Sequence, residues 1–449
     1  MAKLFGTDGI RGVANKELTG ELALQVGRAS ALVLGDSSPG KPLLIGRDPR
    51  LSGHMLEGAL IAGITSAGLD VILVDVVPTP AVAFLTRTLG CAAGIMISAS
   101  HNPLEDNGIK VFGSDGYKIS DDQEEQIEKL IPSDNYARPI GGGLGKVHHR
   151  PEAGQLYVDE LRKQVPLDLA GLHIVLDCAN GATSDYAPRL FRSLGAKVST
   201  FFDQPNGTNI NHFCGSTFPE KIQTLTKEVG ADLGFAFDGD GDRILAVDER
   251  GNLVDGDHIL AIMGLHLLRN GQLPANKVIA TAYSNGGLKQ AFLASGGDVQ
   301  YAPVGDRFVL ETMLQEGCIL GGEQSGHILF LENSTTGDGM LTALKLLQMR
   351  QIQGKPLAEL AQSMVVFPQC LVNVPVRDKR NWQENPHIQK VIKDAQEQLA
   401  PLGRLFVRAS GTEPLLRVMG EHPEEEILKA TVQLVVQTIT AEIGNVNVS

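Results

Sequence analysis

The chain is 449 residues long, 43% hydrophobic and 20% charged, with a formal net charge of −13. At roughly 150 residues per domain that is about three domains, with four allowed, and enough apolar material to give each a core. The acidic balance excludes nucleic acid as an expected partner and requires a locally basic site for any anionic substrate, and no apolar run approaches the roughly 20 residues of a membrane span.

The opening residues, Met1-Ala2-Lys3-Leu4-Phe5-Gly6-Thr7-Asp8, carry no apolar signal-peptide core. The five cysteines (Cys91, Cys178, Cys214, Cys318, Cys370) are odd in number and include no C-x-x-C pair. Both features predict reduced thiols, a cytoplasmic location and no membrane partner.

In chain order, Gly6-Thr7-Asp8-Gly9-Ile10-Arg11-Gly12 is a glycine-rich loop in which Arg11 is placed to reach an anion; an ordinary loop fits it equally. Leu43-Leu44-Ile45 reads as a strand ending in the polar turn Arg47-Asp48-Pro49. An amphipathic helical stretch at Met55–Ala67, a stop at Gly68 and a second strand at Val71–Val74 follow. Ala92–Ile97 is a further apolar run, and after it comes Ser98-Ala99-Ser100-His101-Asn102-Pro103. At the mouth of a helix or turn, Ser100 would present a hydroxyl near free backbone N–H groups, which is a phosphate cradle. His101 and Lys110 add positive or proton-transferring groups, while a capped turn is the plain alternative. There is no G-x-S-x-G elbow, and no distinct Asp to orient His101 as in a hydrolase triad.

A second unit runs from Ile174-Val175-Leu176 through the turn Asp177–Gly181, a helix near Leu190–Leu194, Gly195 and a strand at Val198. A third runs from Val278-Ile279-Ala280 through Ser284-Asn285-Gly286-Gly287, a helix at Leu288–Ala294, Gly296-Gly297 and Val299. In all three, first and second strands lie about 21–28 residues apart, the spacing a parallel crossover needs. The glycine after each helix suits a left-handed cap, and the continuous apolar runs suit strands buried on both faces. Three consecutive related α/β domains with mixed sheets are expected; one large sheet with many crossovers is the alternative. After Cys370 the pattern changes to strands at Leu371–Val376 and Arg404–Val407 and a long amphipathic helix at Glu424–Ile443, a smaller C-terminal α+β domain. Glycine-rich and polar junctions at Gly141-Gly142-Gly143, Gly251–Asp257 and before Leu371 set the expected domains at 1–150, 151–255, 256–370 and 371–449.

Three further constellations carry chemistry besides the Ser100 segment and the Gly6–Gly12 loop. Asp238-Gly239-Asp240-Gly241-Asp242-Arg243 lies between the apolar runs Leu233–Phe237 and Ile244–Val247. Its glycines let a tight turn aim alternating carboxylates at one point, and hard oxygens suit Mg²⁺. A calcium EF-hand is disfavoured, because Arg243 stands where the loop needs Gly and the flanks read as strands. Arg243 would instead serve an anion beside the metal; an acidic hairpin turn is the plain alternative. Gly321-Gly322-Glu323-Gln324-Ser325-Gly326-His327 brackets a carboxylate, a hydroxyl and an imidazole with glycines, a clamp for a polyol or an ordinary turn. Arg408-Ala409-Ser410-Gly411-Thr412-Glu413-Pro414, with Arg417 beyond it, reads as a phosphate nest.

Together, in this order and spacing along the full chain, these motifs resemble the α-D-phosphohexomutase superfamily. The resemblance implies a heart-shaped, four-domain protein with one loop from each domain meeting in a central cleft. It implies that Ser100 is phosphorylated, and that Asp238, Asp240 and Asp242 hold one Mg²⁺ per chain together with an oxygen on Ser100. Glu323, Ser325 and His327 would hold the sugar. Arg408, Ser410, Gly411, Thr412 and Arg417 would hold the phosphate that is not reacting, with Thr7 and Arg11 also on the substrate. His101 and Lys110 would move protons, and Arg243 would supply charge. Val304-Gly305-Asp306-Arg307, and Gln324 where mannose and glucose mutases more often carry Met, lean toward glucosamine 6-phosphate and glucosamine 1-phosphate as the interconverted pair. The route would run through a 1,6-bisphosphate and feed UDP-N-acetylglucosamine and cell-wall precursor synthesis. A sugar 1,6-bisphosphate or a kinase would prime Ser100, and a homodimer is allowed. The alternatives are a phosphomannomutase or phosphoglucomutase of the same fold, then a Mg²⁺-dependent phosphohydrolase or a non-catalytic sugar-phosphate-binding protein.

Overall fold

The computed structural model describes residues 4–36, 38–133, 136, 138–410 and 414–444. They form two compact units, one of Met1–Tyr283 with Val299–Ser363 and one of Ser284–Asp298 with Met364–Ser449.

The first unit holds three separate sheets, so the single-sheet alternative is set aside. The first sheet contains β1 (Ile10–Val13), β2 (Leu43–Arg47), β3 (Val71–Val76), β4 (Ala93–Ile97), β5 (Asp106–Gly113) and β6 (Val147–His149) in the order β1-β5-β4-β2-β3-β6. β2 and β4 are buried along their whole length and run parallel to each other, as their unbroken apolar sequences require. β5 is antiparallel to β4 and β1, pairing Met96 with Lys110. The Ser100 segment is therefore a tight turn between β4 and β5. No helix starts there, because the buried strand Asp106–Gly113 claims the backbone a few residues on. Helix Ser52–Ser66 connects β2 to β3 and ends near Gly68, at φ +92°.

The second sheet has the order β11-β10-β9-β7-β8, from β7 (His173–Asp177), β8 (Lys197–Phe201), β9 (Leu233–Phe237), β10 (Ile244–Val247) and β11 (Leu253–Val254). β9 is wholly buried and parallel to β7, and β10 folds back antiparallel with Ile244 opposite Phe237. Asp238–Arg243 is thus the connection of a buried hairpin. The third sheet comprises β12 (Lys277–Thr281), β13 (Asp298–Ala302), β14 (Leu320–Gly322) and β15 (Ile328–Phe330) in the order β13-β12-β14-β15. β14 and β15 are antiparallel with Gly322 opposite Ile328, which makes 323–327 a closed loop.

The second unit contains a three-stranded antiparallel sheet of β16 (Gln369–Pro375), β18 (Leu415–Glu421) and β17 (Arg404–Ala409). Helices Pro386–Leu399 and Glu425–Ile443 cover it through Ile392, Leu428, Val432 and Ile439. Among the described residues no helix is long and apolar enough to cross a membrane, and the five cysteines are unpaired.

Candidate active site

The Ser100 turn is held from beneath by a buried network. Asp48 accepts from Arg50 Nε (3.0 Å) and from Ser98 Oγ (2.6 Å), and Ser98 Oγ accepts from the Ser100 N–H (2.9 Å). Arg50 is completely buried and donates to the carbonyls of Ser100 (3.0 Å), Asn102 (2.8 Å) and Asp106 (3.1 Å). Asn211 of the second-sheet region adds a bond to the Ser100 carbonyl at 2.8 Å. These bonds over-determine a backbone that Ser disfavours, since Ser100 sits at φ +51°. The result is a buried hydroxyl aimed at two partners: Asp238 Oδ2 at 2.6 Å and His101 Nδ1 at 3.1 Å. Burial, then the Arg243 and Arg11 cations, push His101 down to about 4, so the ring is neutral, with one nitrogen protonated and the other carrying a lone pair.

Asp238, Asp240 and Asp242 are all buried, with ligating oxygens within 4.8 Å of one another. Lys110 Nζ, buried on β5, lies 2.8 Å from Asp240 Oδ2 and 3.2 Å from Asp242 Oδ2. Thr79 also donates its hydroxyl to Asp240. Burial and then the neighbouring Asp242 and Asp240 charges drive the Asp238 carboxyl well above its ordinary range. Asp242 falls well below that range, because Lys110 and His327 outweigh its burial. Asp240 Oδ1 and Asp242 Oδ1 are buried with no hydrogen-bond partner. The unpartnered Asp240 Oδ1, in a cluster of three buried carboxylates beside the Ser100 hydroxyl, fits a divalent cation of the Mg²⁺ kind.

Gly239 lets this loop approach the Ser100 turn. A Cβ there would lie 2.6 Å from the Ser100 carbonyl oxygen, so no other residue fits without moving one of the loops.

Arg243 lies among Asp242, Asp238 and Glu323, which raise its pKa against burial, and its Nε is buried without a hydrogen-bond partner. Arg11 pairs with Asp8 and reaches the Ala99 carbonyl (3.4 Å) and Asn102 Oδ1 (3.3 Å), so it borders the Ser100 turn; Thr7 is exposed. Glu323 Oε1 accepts from Gly305 N at 3.2 Å, and Ser325 is exposed at the loop tip. Gln324 turns aside to Asp255 Oδ2 (3.2 Å), the residue that caps helix Gly256–Arg269. His327 is buried and points inward, 3.6 Å from Asp242 Oδ1 and 4.0 Å from Asp306 Oδ2. Burial opposes its charge, but Asp242 and then Asp306 and Glu323 raise its pKa overall.

In the second unit Arg408 and Arg417 stand directly opposite each other on β17 and β18. Ser410 donates its N–H to the Leu415 carbonyl (3.0 Å), and Lys379 donates to the Ser410 carbonyl (2.7 Å). Gly411 and Thr412 lie outside the described residues.

Sequence reasoning passed over Asp48, Arg50, Thr79 and Asn211, which hold the two loops, and gave Asp8 and Lys118 no role. Only the polar turn after β2 signalled Asp48. Asn211 and Thr79 lie far along the chain from what they touch.

The chain matches the Phosphoglucomutase/phosphomannomutase alpha/beta/alpha domains I, II and III over residues 2–138, 155–251 and 255–367, and the C-terminal domain over 371–438. It is 53% identical over 446 residues to the phosphoglucosamine mutase of Geobacillus thermodenitrificans (strain NG80-2), covering 99% of this chain and 100% of that protein. The phosphoglucosamine mutase of Bacillus cereus (strain AH187) is 52% identical with the same coverage. A phosphoglucomutase/phosphomannomutase family protein from Burkholderia thailandensis superposes with a TM-score of 0.82 at 26% identity, over 99% of each chain. The N-acetylphosphoglucosamine mutase of Aspergillus fumigatus, solved with GlcNAc-6P and magnesium, shares the fold at a TM-score of 0.68 and 18% identity, over 97% of this chain and 95% of that one.

Proposed function

The chain belongs to the phosphoglucomutase/phosphomannomutase family, and from that premise we propose that it interconverts glucosamine 6-phosphate and glucosamine 1-phosphate as a phosphoglucosamine mutase. The relatives at 52–53% identity over the full length favour this substrate over mannose or glucose phosphates. The observation that carries the reading is the Ser100 hydroxyl, buried 2.6 Å from Asp238 within a three-carboxylate cluster.

In the proposed cycle, Ser100 enters as its phosphate ester. The P–O bond to Ser100 breaks as a bond forms from phosphorus to the sugar O1, giving glucosamine 1,6-bisphosphate. The O1 proton ends on the Ser100 oxygen that leaves phosphorus; in the second half Ser100 gives that proton up to the sugar O6 as it takes the 6-phosphoryl group, which rebuilds the ester and leaves glucosamine 1-phosphate. Asp238, Asp240 and Asp242, with an oxygen on Ser100, are the residues that would hold one Mg²⁺. When bound, that ion neutralises charge on the moving phosphoryl group.

The protein's own groups do the positioning. Lys110, ringed by carboxylates that raise its pKa against full burial, stays cationic and serves as charge rather than base. His101 is neutral and in reach of the reacting oxygen, so the proton-transfer role falls to it. Arg243, with an unspent buried donor, takes a phosphoryl oxygen. Glu323 and Ser325 hold sugar hydroxyls, and Arg11 and Thr7 border the substrate. Arg408, Ser410, Gly411, Thr412 and Arg417 hold the non-reacting phosphate. The domains are proposed at 1–150, 151–255, 256–370 and 371–449, with a cytoplasmic location and with a sugar 1,6-bisphosphate or a kinase as primer.

Phosphorus NMR tests this. Protein with Mg²⁺, a trace of sugar bisphosphate and glucosamine 6-phosphate should build up glucosamine 1-phosphate, faster than the corresponding reactions of glucose and mannose 6-phosphates. Release of inorganic phosphate without the 1-phosphate would overturn the reading in favour of a phosphohydrolase.

A further inference from the structure

Six charged side chains close a circuit through the three sheets of the first unit. Lys110 Nζ lies 3.2 Å from Asp242 Oδ2 and 3.1 Å from Asp8 Oδ2. The other oxygen of Asp8 accepts from Lys118 Nζ, which also donates to Asp306 Oδ2. Asp306 Oδ2 is 4.0 Å from His327 Nε2, and His327 Nδ1 returns to Asp242 Oδ1 at 3.6 Å. The signs alternate around the ring. Asp8, Lys110 and Lys118 come from the first-sheet region, Asp242 from the second, and Asp306 and His327 from the third.

Lys118 has no chemistry to perform, yet it is held firmly. Its backbone bridges to Phe112 at the end of β5, and its side chain is 16% exposed. Asp306 begins helix Asp306–Glu316, and the next residue, Arg307, anchors that helix to Asp121 (2.9 Å) and Glu124 (3.2 Å) of helix Asp121–Leu130. The junction between first and third sheets is thus built around this pair.

We propose that Lys118 is a positioning residue for phosphoryl transfer: by joining Asp8 to Asp306 it sets Lys110 and His327 on either side of Asp242, and so keeps the sugar loop in register with the phosphoryl site. The proposal rests on the mutase reading. The physical reason is competition for cations. Without the Lys118 ammonium, Asp8 and Asp306 face each other as largely desolvated carboxylates. Asp8 then draws Lys110 away from Asp240 and Asp242, and Asp306 draws His327 away from Asp242. Both displacements act on the aspartate loop, though neither removes a group from it.

The test uses the full-length protein and the variants Lys118→Gln, Lys118→Arg, Asp306→Asn and the Lys118→Gln/Asp306→Asn pair. Lys118→Gln should lower kcat by about 10- to 100-fold, the scale of losing a group that orients the aspartate loop, and shift calorimetric Mg²⁺ affinity toward tighter binding, because Lys110 and His327 compete less for the Asp240 and Asp242 oxygens. KM should move far less than kcat, because substrate-binding groups remain. Lys118→Arg should recover most of the rate. The double variant should be no worse than the poorer single one, since either change opens the same ring. A folded Lys118→Gln enzyme with wild-type kcat and Mg²⁺ affinity would overturn the proposal, as would strictly additive losses in the double variant. If Lys118→Gln does not fold, Asp306→Asn opens the circuit from its other side and is read in the same way. If the wild type shows no mutase turnover, the mutase reading fails, and unchanged Mg²⁺ affinity in the variants would then overturn the circuit independently.

Discussion

Replacing Gly239 with alanine removes no functional group and adds one methyl where none fits. The new Cβ would lie 2.6 Å from the Ser100 carbonyl oxygen and 2.9 Å from Asn211 Nδ2, whereas ordinary contact begins at 3.4 Å. The aspartate loop and the Ser100 turn must therefore part by about 0.8 Å. The bonds from Arg50 and Asn211 hold the Ser100 carbonyl, so most of that movement falls on the aspartate loop. Asp238 then withdraws from the Ser100 hydroxyl it now meets at 2.6 Å. A misplacement of about 1 Å at a reacting centre costs on the order of 100-fold, so kcat should fall by about that factor, or ~2.7 kcal/mol in the barrier. Overpacking of this size costs ~1–3 kcal/mol of stability, which leaves the protein folded at room temperature. The assay is steady-state turnover of glucosamine 6-phosphate, with circular dichroism as the check on folding. KM should stay near wild type, because the change removes no group proposed to hold the substrate. A folded variant with kcat within about threefold of wild type would refute the reasoning that transfer depends on this close approach.

Ser100→Ala should abolish turnover with the fold intact, and peptide mapping of active protein should find phosphate on Ser100; phosphate on Ser98 alone would reject the assignment. Asp240→Asn should weaken Mg²⁺ binding and lower kcat by orders of magnitude. Its melting temperature should drop less than that of Leu176→Ala, a fully buried site where truncation costs roughly 2–5 kcal/mol; wild-type metal dependence would count against the loop. Arg417→Ala should raise KM by a similar factor for the 1-phosphate and the 6-phosphate, with a loss of a few kcal/mol for a charge-assisted contact, and unchanged KM for both would show that this sheet holds no phosphate. Glu323→Gln should narrow the preference for glucosamine over glucose 6-phosphate by roughly 1–3 kcal/mol, and an unchanged kcat/KM ratio would remove this loop from sugar selection.

Much of this architecture was legible in the sequence because its signals are local. The apolar runs at Leu43, Ala93 and Leu233 became strands buried on both faces, and the Ser100, Asp238 and Glu323 motifs each begin within a few residues of a strand end. The glycines expected to end helices do adopt positive φ at 68, 195 and 296. What could not be read was pairing across distance. A helix was one option after Ser100, yet β5 returns at once, because its burial against β4 outweighs any local helix signal. Asp48 and Arg50 look like turn residues, and only the folded sheet places them beneath Ser100. Gln324 was read as a substrate marker on resemblance alone; in the fold its side chain donates to the Asp255 cap at 3.2 Å, a partner 69 residues away that the sequence did not signal.

The loop at 323–327 closes on itself: Glu323 N–H meets the His327 carbonyl at 3.0 Å, and Gly326 N–H meets the Glu323 carbonyl at 3.0 Å. Its two ends are pinned by β14 and β15, and its tip at Ser325 is exposed. A short hairpin of this kind is an exchangeable cartridge. Tip residues can drift under selection, or be swapped by design, while the strands that carry them stay unchanged. Glu323 and Ser325 lie on the hairpin of the third sheet, while Ser100 and the aspartate loop follow strands of the first and second sheets. With the sugar contacts proposed for this hairpin, a few codon changes at its tip are the place to seek a new hexose preference.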